Sequence, residues 1–252
     1  MVDAADGHHV VTGGKTIYGI PLGILMLDTV FPRIPGDVGH AATWPFPVLY
    51  RVVRDAEASA VVRNLSAEQH LPAFLEAALE LERAGVALIT TSCGFLARFQ
   101  GELQQRLQIP IVTSSLLQVP WLLSLLPEDR DVGVLTIEAR SLTAGYLEGA
   151  GVRDRTRVAI QGLDEAGGYF TEQILGNRPQ LDVERAAREH EMAAKQLLAR
   201  RPRVGCIVLE CTNMPPYAAR IRAATRLPVY DLTTLITWAV GGIGGNTPKL
   251  RP

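Results

Sequence analysis

The chain has 252 residues, 47% of them apolar and 20% charged, with 25 Lys+Arg against 26 Asp+Glu. Near-zero net charge leaves no basic footprint for nucleic acid, and the apolar fraction excludes a disordered, solvating chain. Three cysteines, Cys93, Cys206 and Cys211, give no disulfide framework, so a thiol here belongs to the core or to chemistry.

The first fifteen residues are polar and glycine-containing, with no apolar stretch behind a basic start, so an export signal is not expected. His8 and His9 in this stretch are weak as metal ligands. A strand is predicted over 16–27. Asp28 to Pro47 follows, with four prolines and no hydrophobic period; a connection this long after a first strand reads as a lid or wall at the carboxyl edge of the sheet. Further strands are predicted over 48–53, 86–91, 109–113, 131–137, 157–160, 204–209 and 228–230. Between them, 68–84 and 182–200 read as amphipathic helices, stopped by Gly85 and by Arg201-Pro202. In the second helix Val183, Ala187, His190, Ala194 and Leu197 share one face, and His190 is expected in a core or interface. The alternation of short aliphatic runs with helices predicts an α/β fold with largely parallel sheets. The apolar stretches, such as Ile20 to Leu27 and Val119 to Leu126, fall short of the roughly 20 residues a membrane span needs, which points to a cytoplasmic protein with no membrane partner. The segment VPWLLSLLP fits the inside of a lobe or the contact of a homodimer or higher homo-oligomer.

An internal repeat organises the chain. Val86 to Pro110 aligns with Val204 to Pro228 so that Cys93 falls on Cys211 and Ile109-Pro110 on Leu227-Pro228. Each copy reads strand, cysteine, helix, then an apolar-Pro step into the next strand. A strand ending in an acid precedes each copy, GILMLD at Asp28 and GVLTIE at Glu138. Two similar three-layer lobes related by a pseudo-twofold follow, one of residues 16–115 plus 231–252 carrying Cys93, the other of residues 116–230 carrying Cys211, with the active site between them.

A thiol between a strand and the first turn of a helix sits among unpaired N–H groups and the positive end of the helix dipole, which predicts a pKa below the free value of about 8.5. Backbone N–H groups after each cysteine are suited to a substrate carboxylate, Gly94 to close approach of a ligand, and Thr212 to donating a hydroxyl. Two such thiols on opposite faces of one carbon form an acid and a base for racemisation, with Asp28 and Glu138 placed to assist. Arg33 and Arg140 are candidates to fork onto a carboxylate, and Ser92, Thr113, Ser114 and Ser141 lie near the same edge. Cys206, in mid-strand, is expected to be core. No HExxH, CxxC pair or other close ligand cluster indicates a metal. The GGIGGN run from Gly241 follows a helix and lacks a GK[ST] ending, and no GxGxxG opens a strand-to-helix turn, so neither phosphate-loop nor dinucleotide chemistry is expected.

The segments ITTSCGF and VLECTNMPPYA, with VGVLTIEARSLTAGY between them, resemble the aspartate/glutamate racemase superfamily, which includes hydantoin racemases, maleate isomerases and arylmalonate decarboxylases. The resemblance runs from about Thr16 to Ala239. It implies a two-lobed, cofactor-independent enzyme with paired catalytic cysteines at Cys93 and Cys211, and an acidic residue at Asp28. Gly94-Phe95 stands where glutamate racemases carry Asn-Thr, and Thr212-Asn213 where they carry Thr-His. The pocket is therefore expected to be more apolar than a glutamate site and to lack the histidine beside the second cysteine. The expectation is an isomerase: a racemase or epimerase, independent of PLP and metal, acting on an amino acid or related α-substituted carboxylate. The alternatives are a maleate-isomerase-like or arylmalonate-decarboxylase-like enzyme using one cysteine, and a non-catalytic small-molecule binding protein.

Overall fold

The computed structural model describes residues 12–14, 16–54, 56–63 and 67–243; His8, His9 and the end of the GGIGGN run lie outside them. In chain order the first half runs β1 (Leu22–Leu27), β2 (Val48–Val53), α1 (Ala58–Arg63), α2 (Ala67–Ala84), β3 (Leu88–Thr91), α3 (Gln100–Gln104) and β4 (Ile111–Val112). The second half runs α4 (Val119–Leu125), β5 (Asp131–Thr136), α5 (Ala144–Gly149), β6 (Val158–Gly162), α6 (Tyr169–Leu175), α7 (Val183–Arg200), β7 (Val204–Leu209), α8 (Ala218–Thr225), β8 (Val229–Tyr230) and α9 (Leu232–Gly242).

The strands form two four-stranded sheets, ordered β2-β1-β3-β4 and β6-β5-β7-β8, with every pairing parallel. Each half thus repeats the same order, as the sequence repeat requires. Of the central strands, β1, β3 and β5 are buried along their whole length and β7 at every residue but Gly205. Strands covered by helices on both sides carry continuous aliphatic runs rather than alternation, and LGILML, LITT and DVGVLT fit that description.

β1 begins later than the sequence predicts. Residues 16–21 lie outside the strand: the register with β2 starts at Leu22↔Val48, and Gly19 takes φ 77, a left-handed conformation that breaks an extended run. α2 ends at Gly85 with φ 92, the expected glycine stop. α7 is capped by Asp182, whose side chain accepts from the Arg185 N–H at 2.9 Å. It buries Ala187, His190, Ala194 and Leu197, while Val183 in its first turn is exposed. Among the described residues, no helix is long and apolar enough to cross a membrane.

One apolar core runs through both halves, from Leu25, Phe74 and Ile89 of the first to Val134, Phe170 and Ile207 of the second. A second cluster lies on the other face of the first sheet, where α9 sets Leu232, Ile236 and Val240 against Leu22, Ile24 and Trp44. The two halves touch closely where α5 crosses the 3-10 turn that follows β3. There a Cβ on Gly149 would lie 2.4 Å from the Ala97 carbonyl, and Phe95 meets Tyr146 edge to face at 5.0 Å.

Candidate active site

β3 and β7 end side by side at the boundary between the halves, each followed at the second residue by a cysteine. The backbone repeats itself there: the Ser92 N–H donates to the Leu25 carbonyl and the Glu210 N–H to the Leu135 carbonyl, both at 2.8 Å. The Thr212 hydroxyl ties the two ends, donating to the Ser92 carbonyl at 2.7 Å. Ser92 and Glu210 are therefore equivalent positions with different chemistry. The Ser92 hydroxyl accepts from the Leu27 N–H at 2.8 Å. One carboxylate oxygen of Glu210 accepts from the Thr136 hydroxyl at 2.7 Å, and the Ile137 N–H also donates to this side chain.

Between the ends lies a cavity of ≈ 330 Å³ of empty space, mouth included. Its polar lining is Ser92, Cys93, Gly94, Glu210, Cys211 and Asn213; its apolar walls include Leu27, Phe31, Val62, Phe95, Ile137 and Ile174. Both cysteines are nearly buried, at 6% and 8% exposure, and both line this space. The Phe95 N–H donates to the Cys93 sulfur and the Asn213 N–H to the Cys211 sulfur. Glu210 is fully buried, and its other oxygen, Oε1, has no hydrogen-bond partner.

These surroundings overturn the expectation of acidified thiols. Burial, and then the Glu210 charge, push Cys93 up to about 12, against smaller opposing effects of the Phe95 N–H and Arg33. Cys211 is raised well above the ordinary thiol value by burial, with Glu210 next. The helical turn after Cys93 is 3-10 over Gly94–Phe99, and after Cys211 it begins only at Pro215. Neither sets a long helix axis on a sulfur, so desolvation dominates. Burial likewise raises Glu210 to about 7, with its bonds from Thr136 and Ile137 opposing.

The proline-rich loop forms one wall, through Phe31. Its Asp37, which no motif or period singles out, is buried and holds three partners: Arg33 Nη1 and the Gly39 N–H on Oδ1, both at 2.8 Å, and Asn213 Nδ2 on Oδ2 at 2.6 Å. The Cys211 thiol in turn donates to Asn213 Oδ1 at 3.5 Å. A chain of contacts thus runs Arg33–Asp37–Asn213–Cys211 from the loop to the second thiol.

Of the residues singled out in the sequence, Ser92, Cys93, Gly94, Phe95, Cys211 and Asn213 line the cavity, with Thr212 buried between the strand ends. Gly94 does give close approach, but to Glu210: a Cβ there would lie 2.2 Å from its Oε1 and 2.4 Å from its carbonyl oxygen. Arg33 is committed to Asp37 and to the Thr29 hydroxyl. Asp28 is exposed at the end of β1, outside the cavity lining. Glu138, Arg140 and Ser141 line a separate open pocket with Arg63, Arg98 and Tyr146, which shares only Val62 with the cavity. There Glu138 accepts from Arg63, Arg140 and Ser141. Thr113 donates to Gln100, and Ser114 caps the 3-10 turn after β4 through the Leu116 N–H. His190 is core, stacked on Tyr217 at 4.2 Å, and burial lowers it to about 4. Cys206 is buried in β7. Among the described residues no group of three or more His, Cys, Asp or Glu is arranged to hold a metal ion.

The family model described as Asp/Glu/Hydantoin racemase matches residues 45–240. A curated protein named dimethylsulfoniopropionate lyase 5, from Emiliania huxleyi (strain CCMP1516), is 32% identical over 224 residues, which cover 85% of this chain and 44% of that protein. A dimethylsulfoniopropionate lyase from Durusdinium sp. clade D is 31% identical over 231 residues, 89% of this chain and 75% of the relative. The chain therefore spans less than half of the first relative and three quarters of the second. Among solved structures, an allantoin racemase from Pseudomonas fluorescens superimposes with a TM-score of 0.56 at 17% identity, covering 88% of this chain and 90% of that one, a likeness of fold. The superfamily resemblance and the two-sheet α/β fold stand. The expectation of an amino-acid racemase, and of an isomerase, does not: the relatives at about 30% identity are named as lyases.

Proposed function

Because the chain belongs to the Asp/Glu/Hydantoin racemase family, we propose that within that family it is a lyase of the type its curated relatives are named for, breaking the carbon–sulfur bond of dimethylsulfoniopropionate or a close β-sulfonio carboxylate. The observation that carries this reading is the pair of buried thiols in a small, largely apolar cavity. Elimination needs one base. Both thiols face Glu210 and each accepts one backbone N–H; Cys93 is the better placed of the two because Arg33 also favours its thiolate, whereas Cys93 and Asp37 add to the charge opposing Cys211.

The base takes a proton from carbon 2 of the substrate. The C–H electron pair becomes the C2=C3 double bond, the C3–S bond breaks, and its pair goes to sulfur. Acrylate and neutral dimethyl sulfide result, and the thiol returns its proton to solvent. Because the sulfide leaves uncharged, no acid is required at the leaving group, which suits a site with Asn213 where a racemase carries histidine.

The raised thiol is compatible with this chemistry only if the substrate brings a positive charge. A sulfonium about 4 Å from the sulfur is worth about 4 kcal/mol at an effective dielectric of about 20, or about three pKa units. That returns Cys93 from about 12 toward the ordinary thiol range. The test is incubation of the purified chain with dimethylsulfoniopropionate, following dimethyl sulfide in the headspace and acrylate in solution. Equal release by wild type and Cys93→Ala refutes the assignment of the base; no release by wild type refutes the substrate.

A further inference from the structure

Glu210 is the residue the site's chemistry leaves without a task. It is fully buried, lines the cavity, and has one oxygen fixed by Thr136 while the other has no partner. The equivalent position in the first half is a serine whose hydroxyl is satisfied by a backbone N–H. The first half closes the same strand end without a carboxylate.

Among the described residues lining the cavity, none is Lys, Arg or His. Arg33, the cation nearest in the loop, is held by Asp37 and Thr29. An unpaired carboxylate in an apolar cavity is destabilising unless something neutralises it. The Thr136 hydroxyl already occupies Oε2, and Oε1 sits over Gly94, the one residue type that leaves it room. The walls add the aromatic side chains of Phe31, which already carries the Arg33 guanidinium over its ring at 4.7 Å, and Phe95; aromatic walls suit a soft, weakly hydrated cation.

We propose that Glu210 is the specificity-determining residue of this site: its Oε1 is the counter-charge for a cationic group that donates no hydrogen bonds, a trialkyl sulfonium or quaternary ammonium at the β-carbon of a carboxylate. The identity of that cation rests on the lyase reading above; the residue rests on the cavity itself. Glu210 acts by Coulomb attraction to the leaving-group end, and no bond to it forms or breaks.

The test uses two probes of one shape, 3-(trimethylammonio)propionate and its uncharged carbon analogue 4,4-dimethylpentanoate, titrated calorimetrically into the full chain. Wild type is expected to bind the ammonium probe at least tenfold more tightly. Glu210→Gln, which keeps the size and a hydrogen-bonding end, is expected to reduce the ratio to threefold or less, and Glu210→Asp, which keeps the charge, to preserve most of it. Equal binding of the two probes by wild type overturns the proposal. So does an unchanged ratio in a folded Glu210→Gln, or, should that variant fail to give a cooperative melt, loss of the ratio in a folded Glu210→Asp. Selection of the ammonium probe without acrylate release from dimethylsulfoniopropionate refutes the lyase reading and leaves the role of Glu210 standing. Acrylate release with no selection between the probes does the reverse.

Discussion

Gly94→Ala is the most direct test of how the two halves meet. The added methyl would lie 2.2 Å from Glu210 Oε1, 2.4 Å from the Glu210 carbonyl oxygen and 3.0 Å from its Cδ. A flexible side chain alone could swing away, but the carbonyl is fixed at the end of β7, where the Glu210 N–H holds Leu135 and Ser115 donates to the Leu209 carbonyl at 2.6 Å. The strand ends must therefore separate or the turn after Cys93 must shift. Overpacking of this kind costs about 1–3 kcal/mol. For a chain of this size that lowers Tm by roughly 2–12 °C. Gly101→Ala is the control, since a Cβ there meets nothing within 4 Å and the position is helical; it should be neutral or stabilising by up to about 1 kcal/mol. Differential scanning calorimetry of the three proteins decides. A Gly94→Ala protein melting within a degree of wild type, with its activity intact, would refute the close contact between Gly94 and Glu210.

The stability of the protein should carry the signature of Glu210. Its folded pKa of about 7 lies above the ordinary 4.5, so its contribution is fully present below about pH 4.5 and is lost as pH rises through 7. From pH 5 to pH 8, Glu210→Gln should gain on the order of 2–3 kcal/mol relative to wild type in urea unfolding; parallel curves for the two proteins would contradict it. Asn213→Ala removes the donor to Asp37 Oδ2 and leaves that buried oxygen unpaired, at about 1–3 kcal/mol, read as a lower urea midpoint with an unchanged slope. With its pKa near 12, Cys93 in the unliganded protein should react with iodoacetamide at pH 7.5 roughly a thousandfold more slowly than an ordinary thiol. Peptide mass spectrometry would show this, and rapid labelling would disprove it.

The sequence repeat carried the architecture because each half is closed by the same local signals: an aliphatic strand, a cysteine, a helical turn and an apolar-Pro step. Those signals are short-range, and the identical strand orders follow from them. The cavity side of each strand end was legible for the same reason, down to Ser92, Gly94 and Asn213. Glu210 was visible in the alignment as the partner of Ser92, yet a charged residue closing a strand usually faces water; only the packing of the second strand end against the first buries it. Asp37 left no local trace at all, because its partner Asn213 lies 176 residues away and the loop that carries it has no period. Asp28 and Glu138 hold equivalent positions but have unlike fates, one exposed and one buried under arginines, since the loop after β1 leads away while the turn after β5 folds back.

The pairing of Ser92 with Glu210 gives an otherwise mirrored scaffold a direction. Two matched ends would treat both sides of a bound carbon alike, as exchange of a stereocentre demands. With a hydroxyl on one half and a carboxylate on the other, the pocket has an electrical head and tail, and on the proposal above a small zwitterion would enter it in one orientation. Such a polarised pocket suits a reaction in which one end of the molecule departs and the other stays.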